Sequence, residues 1–195
     1  MQTFFSLITL FCWVYWLIFY WGGGRLLARD VKHAAAANSR LDTGLLISIL
    51  ILVLILFGTG VLILVGWVTP SGAGASLWLR GTGVLLTLGG MIGTFYCRHY
   101  LGKFWAADTT LQINHQVVDT GPYRIVRHPI YTMALTMYLG TTLVFPVWWN
   151  GLALMGLLIT HLLKTWSEDR FLRAELAGYA VYQTRVRFRL IPGVW

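Results

Sequence analysis

Residues 129–160 read PIYTMALTMYLGTTLVFPVWWNGLALMGLLIT, 32 residues without a charge, and how they cross a bilayer decides the fold. A membrane helix needs about 20 apolar residues, so the stretch fits one strongly tilted helix or two short ones folded at Pro146-Val147-Trp148-Trp149-Asn150-Gly151. The basic residues arbitrate. With a fold there, segments 21–43, 97–128 and 164–195 share one side and hold 14 of the 15 Lys and Arg. These are Arg25, Arg29, Lys32, Arg40, Arg98, Lys103, Arg124, Arg127, Lys164, Arg170, Arg173, Arg185, Arg187 and Arg189. A single crossing would send the last six across, against the excess of Lys and Arg on cytoplasmic loops. A hairpin is therefore expected, with Trp148, Trp149 and Asn150 at its outward tip.

The 37 residues from Thr43 to Leu79 are too long for one crossing, and Pro70-Ser71-Gly72-Ala73-Gly74 breaks them. A second span is expected near Gly44–Trp67 and a third near Leu77–Cys97, with Arg80 snorkelling to the headgroups at its outer end. Phe4–Gly24 has no basic residue ahead of it and reads as a retained transmembrane helix rather than a cleaved signal. The expected fold is an all-α integral membrane protein of about five transmembrane helices, a single membrane domain over residues 1–195. Residues 1–97 supply three spans, and 98–195 a catalytic loop, the helical hairpin and a C-terminal tail. The N-terminus is expected outside and the C-terminus inside.

Composition agrees: 57% hydrophobic and 11% charged residues, against roughly 25% charged in soluble domains. All seven acidic residues fall on the basic side, so an active site is expected to open to the cytoplasm. The absence of an internal repeat and of charge within the spans speaks against an inverted-repeat transporter or an ion pathway. Cys12 and Cys97 sit in apolar stretches and read as buried small side chains, with no disulfide framework or metal site. The net charge of +8 suits anionic lipid rather than nucleic acid, because no soluble basic module accompanies it.

The longest polar stretch, Cys97–Tyr131, carries His99, Asp108, His115, Asp119, Arg124, Arg127 and His128. Gly121-Pro122 marks a turn, and Pro129 suits a first helical turn, which puts His128 at the start of the fourth span. The first N–H groups of that span are expected to face the cytoplasmic mouth, where the helix dipole favours a carboxylate or phosphate. Beyond the fifth span, Lys164 and Glu168 share a helix face, as a surface ion pair or as site residues, with Asp169 and Arg170 turned away. Arg185-Val186-Arg187-Phe188-Arg189 alternates as an amphipathic tail on the membrane surface.

In order, Gly121-Pro122-Tyr123-Arg124, Arg127-His128-Pro129-Ile130-Tyr131, a hydrophobic hairpin, Glu168-Asp169, Leu172, Gly178-Tyr179, Tyr182, Val186 and Pro192 resemble the isoprenylcysteine carboxyl methyltransferase family and its relatives among membrane phospholipid methyltransferases. The resemblance covers roughly the last 85 residues. It implies methyl transfer from S-adenosylmethionine in a cytoplasmic pocket covered by the tail, with a lipidated or amphiphilic substrate entering from the bilayer. The cofactor-binding positions it implies are His115, Gln116, Val117, Val118, Tyr123, His128, Pro129, Ile130, Tyr131 and Glu168. Lys164 falls where the family tends to an Arg that contacts substrate, so Glu168 and Lys164 are the expected catalytic pair.

A prenylcysteine carboxylate is already ionised at neutral pH and needs no base, whereas an amine acceptor must lose a proton. Carboxyl O-methylation of a prenylated cysteine is the leading expectation, with phospholipid N-methylation as the alternative. A membrane reductase using NADPH and a non-catalytic scaffold also stay open.

Overall fold

The helix that begins at Pro129 stops at Val144, because Pro146 bars the α region to the residue before it. The next helix begins after three intervening residues, at Trp148. In this computed structural model, residues 2–22, 33–36, 39–69, 77–106 and 108–195 are described. The elements in chain order are α1 (Gln2–Trp16, extended by a π-helical segment Leu17–Gly22), β1 (His33–Ala36), α2 (Ser39–Leu64) and α3 (Leu77–Leu101). They continue with β2 (Thr110–Gln112), α4 (Pro129–Val144), α5 (Trp148–Glu175) and α6 (Tyr179–Arg185). The expected turn at Pro70–Gly74 and the basic residues Arg25, Arg29 and Lys32 lie outside the described residues.

The helical hairpin expected from the charge pattern is therefore α4–α5, and its turn is closed by side chains. Asn150 Nδ2 donates to Phe145 O at 2.9 Å, and Arg80 Nη1 donates to Val144 O at 3.2 Å, so two carbonyls at the end of α4 gain partners. This corrects two expectations. Arg80 is buried against α4 rather than reaching for headgroups, and Asn150 is buried in the tip with Thr59 Oγ1 donating to its Oδ1 at 3.0 Å. Trp148 is the exposed residue there, while Trp149 Nε1 donates to Thr59 Oγ1 at 2.9 Å.

Small residues let α3 and α4 approach backbone to backbone. A Cβ on Gly90 would lie 2.5 Å from Met137 N, and one on Gly140 would lie 2.5 Å from Gly83 O. Close packing of this kind joins helices where lipid supplies no hydrophobic drive. Indole donors tie α1 to the same pair: Trp13 Nε1 to Thr141 Oγ1 at 3.0 Å and Trp16 Nε1 to Thr94 Oγ1 at 3.1 Å. Inside lie Trp13, Val53, Leu56, Met137, Tyr138 and Leu157. Outside, Phe11, Ile51, Leu85, Ile92, Leu152 and Met155 stand exposed, an apolar exterior that a soluble protein rarely shows. Among the described residues, Arg40–Leu64 is the one helix long and apolar enough to cross a membrane by length and composition alone.

Two details depart from the expected all-α chain. The backbones of β1 and β2 form a short antiparallel ladder, with Ala36 opposite Thr110. The tail also does more than lie on a surface: Val186 and Leu190 are buried, and Arg127 Nη1 donates to Val186 O and Arg187 O at 2.7 and 2.9 Å. Cys12 and Cys97 are both buried free thiols, as expected.

Candidate active site

The chain leaves α3 and passes through β2, a turn at Gly121 and the start of α4, lining one side of a cleft. Gly121 has φ +55°, and a Cβ there would lie 2.5 Å from the Tyr100 ring, so the turn needs glycine. The other side is α5, where His161, Lys164 and Glu168 follow one another on a single face. Tyr179 and Tyr182 of α6 close the end. The space between these walls, about 1230 Å³, includes the open solvent of its mouth.

All eleven residues expected at the site line this one cleft: His115, Gln116, Val117, Val118, Tyr123, His128, Pro129, Ile130, Tyr131, Lys164 and Glu168. Glu168 Oε2 accepts from Tyr131 Oη at 2.7 Å, and the His128 ring stacks parallel to Tyr131 at 5.6 Å. Oε1 of Glu168 has no hydrogen-bond partner among the described residues. His115 stacks on Phe104 at 4.6 Å, and its Nδ1 is buried without a partner. Burial holds the His115 imidazole below its ordinary value, and the nearby Glu168 charge offsets only part of that.

The helix start is more occupied than the sequence suggests. Arg127 N and His128 N donate to Phe188 O and Arg189 O of the tail, and Tyr131 N and Thr132 N fold back to His128 O. Ile130 N is the first-turn donor left over among the described residues. His128 stands at the N-cap position without a side-chain cap bond; its Nε2 meets Asp169 Oδ1 at 3.0 Å instead.

Asp169, the other acid of the motif pair, is placed differently from the sequence expectation. Expected to turn away, it is buried at the centre of a cluster, accepting from Arg127 Nη2, Arg189 Nε and Tyr179 Oη, each at 2.8 Å. Burial alone would raise its pKa; the hydrogen bonds from His128, Arg127 and Arg189 outweigh that and hold it well below the carboxylate range. The Tyr179 hydroxyl moves the other way, raised by burial and by the Asp169 charge beside it. This cluster clamps the tail over the start of α4.

Lys164 also differs from its expected surroundings. No ion pair with Glu168 forms; the ammonium is buried and donates to Asp42 Oδ1 of α2 and to Thr109 Oγ1. Asp42 accepts Thr109 N at 3.0 Å and Thr109 Oγ1 at 2.8 Å as well. Among the described residues, no group of His, Cys, Asp and Glu is disposed to hold a metal ion.

A sequence model of the phospholipid methyltransferase family matches residues 78–177, just over half of the 195-residue chain. The match runs from α3 through the cleft-lining loop and the hairpin to the end of α5. No curated protein matches the chain.

Proposed function

The chain belongs to the phospholipid methyltransferase family, and we propose that it uses S-adenosylmethionine to methylate the polar head of an amphiphile at this cleft. When bound, that cofactor supplies an electrophilic methyl on a sulfonium. The residues present fit it. Glu168 offers a free carboxylate oxygen for its amine, and Ile130 N, at the positive end of α4, suits its carboxylate. Phe104, Val117 and Val118 give an apolar wall for a flat base, beside the unmatched His115 Nδ1. The observation that carries the reading is this convergence: an orphaned buried nitrogen and a half-satisfied carboxylate line one cleft.

The same reading sends five apolar helices across the bilayer and opens the cleft to the cytoplasm. The apolar exterior supports it, as does the sequence, in which five crossings would leave 14 of the 15 basic residues in segments on one side.

The paired cations favour an amine acceptor over a prenylcysteine carboxylate. A carboxylate wants a free cation, yet the Lys and Arg side chains lining the cleft are committed, Lys164 to Asp42 and Arg127 to Asp169.

Calorimetric titration of the solubilised protein with S-adenosylhomocysteine tests the reading. Saturable binding is expected, weakened about ten- to a hundredfold by Glu168→Gln, because charge-assisted hydrogen bonds contribute about 1.5 to 3 kcal/mol. Binding of NADPH alone would overturn it in favour of a reductase, and binding of neither would point to a scaffold.

A further inference from the structure

His161 lies on α5 within the apolar part of the hairpin, 3% exposed, at the floor of the cleft. Its Nδ1 is 2.8 Å from Leu157 O. A carbonyl only accepts, so the proton sits on Nδ1 and Nε2 carries a lone pair. That nitrogen has no hydrogen-bond partner among the described residues. The ring is held edge-on by Tyr131 at 5.3 Å and Tyr138 at 5.7 Å, so its direction is fixed. It stands one turn from Lys164 and two from Glu168 on the same helix face. A residue needed only to fill space here would be apolar. An ionisable side chain at membrane depth, lining the cleft with one nitrogen locked and the other unpartnered among the described residues, is suited to meet a donor.

We infer that His161 Nε2 receives a hydrogen bond, and then the proton, from the nucleophile that is methylated, so the acceptor is an N–H group of a lipid head. The inference rests on the methyl-transfer reading of the cleft. An alkylammonium gives one proton to Nε2, and the neutral amine's lone pair forms the new N–C bond. The C–S pair leaves with sulfur, which becomes a neutral thioether. The imidazolium then gives its proton to water that enters the cleft as the methylated head leaves. A carboxylate brings no proton and would set its charge against the Nε2 lone pair, so the same geometry disfavours it.

The test uses full-length protein with ¹⁵N-labelled histidine in phosphatidylcholine bicelles containing S-adenosylhomocysteine. The His161 signals are identified by their loss in His161→Phe. An unprotonated Nε2 resonance is expected, and it should move when phosphatidylethanolamine is added but not when palmitate is. Movement with soluble phosphoethanolamine and not with the lipid would keep the role and place the acceptor in water. A resonance that no amine moves, one already protonated at Nε2, or one that palmitate moves equally would overturn the inference.

Kinetics give a second readout. With phosphatidylethanolamine as acceptor, His161→Phe should lose a hundredfold or more in kcat, the scale of general base catalysis. His161→Gln, whose carbonyl still accepts a hydrogen bond, should keep KM within about threefold and lose kcat. Both variants should bind S-adenosylhomocysteine within twofold of the parent. Wild-type turnover by His161→Phe would remove the role. Failure of the parent to bind S-adenosylhomocysteine would sink the cofactor reading instead, and the histidine signal separates the two failures.

Discussion

Asp169 and Arg127 form a buried two-point ion pair, Nη2 to Oδ2 at 2.8 Å and Nε to Oδ1 at 3.3 Å, that joins α5 to the residues preceding α4. His128, Tyr179 and Arg189 complete the carboxylate's surroundings. Removing one member of a buried pair strands the other charge, at about 3 to 5 kcal/mol. Asp169→Asn should lower the thermal midpoint in detergent sharply and expose the tail after α6 to protease. Arg173→Gln, one helical turn beyond Asp169 and exposed, is the comparison and should cost under about 0.5 kcal/mol.

The same carboxylate sets an acid limit. Its folded pKa lies below the unfolded value of about 3.9, so its stabilisation is complete above that value and is lost as pH falls through the folded one. Parent protein should therefore lose stability progressively below about pH 4, while Asp169→Asn, less stable throughout, should show a shallower decline. Thermal midpoints of both proteins across the acid range measure this. Parallel acid limbs would remove Asp169 as the source.

How much of this was legible in the sequence follows from distance along the chain. The hairpin was, because Pro146 and the distribution of Lys and Arg are local or additive signals. Glu168 was, because its place relative to Tyr131 follows a motif. Asp169 was not: one residue further rotates it about 100° to a face whose partners, Arg127 and Arg189, come from other segments. Lys164 pairs with Asp42 across 122 positions, beyond any periodicity. His161 was hidden by its setting, since an apolar run shows only a span until the neighbouring rings and the Leu157 carbonyl fix its two nitrogens. The β1–β2 ladder was missed because four residues of Ala-rich strand carry no alternation to read.

The α3–α4 seam predicts a contrast between adjacent glycines. At Gly90 a methyl would strike Met133 O at 2.6 Å and Met137 N at 2.5 Å, backbone atoms that cannot swing aside. Gly89 has nothing within 4 Å. Gly90→Ala should destabilise by about 1 to 3 kcal/mol or more as the helices part, while Gly89→Ala should be neutral or mildly stabilising. Thermal unfolding in one detergent compares them, and equal midpoints would show that the seam opens freely.

The proposed topology is read by thiol labelling, with positions chosen from the structure. Asn150 is buried, so Gly151, with nothing within 4 Å, is the position to test at the hairpin tip. In a background lacking Cys12 and Cys97, Gly151→Cys should react with an impermeant reagent from outside intact cells. Glu175→Cys, exposed at the end of α5, should react only after the membrane is opened. Labelling of Glu175→Cys from outside would reverse the orientation and move the cleft to the other face.

Lys164 and Asp42 provide a test of what Lys164 is for. The ammonium is sealed between Asp42 and Thr109, linking α5 to the first turn of α2 and to the loop that enters β2. An acid in the first turn of α2 also suits the positive end of that helix. If the pair joins helices, Asp42→Asn strands a buried ammonium and Lys164→Met strands a buried carboxylate, each costing about 3 to 5 kcal/mol. The double variant Asp42→Leu, Lys164→Met should then cost less than the two single changes together, because no charge is left without its partner. Such a variant should still bind S-adenosylhomocysteine and methylate an amine head. If Lys164 instead holds an acceptor carboxylate during transfer, the double variant will be as stable as expected yet lose prenylcysteine methylation altogether. Measuring the thermal midpoints of all three variants, with methyl transfer to phosphatidylethanolamine and to a prenylcysteine analogue in parallel, separates a joining role for Lys164 from a substrate-gripping one.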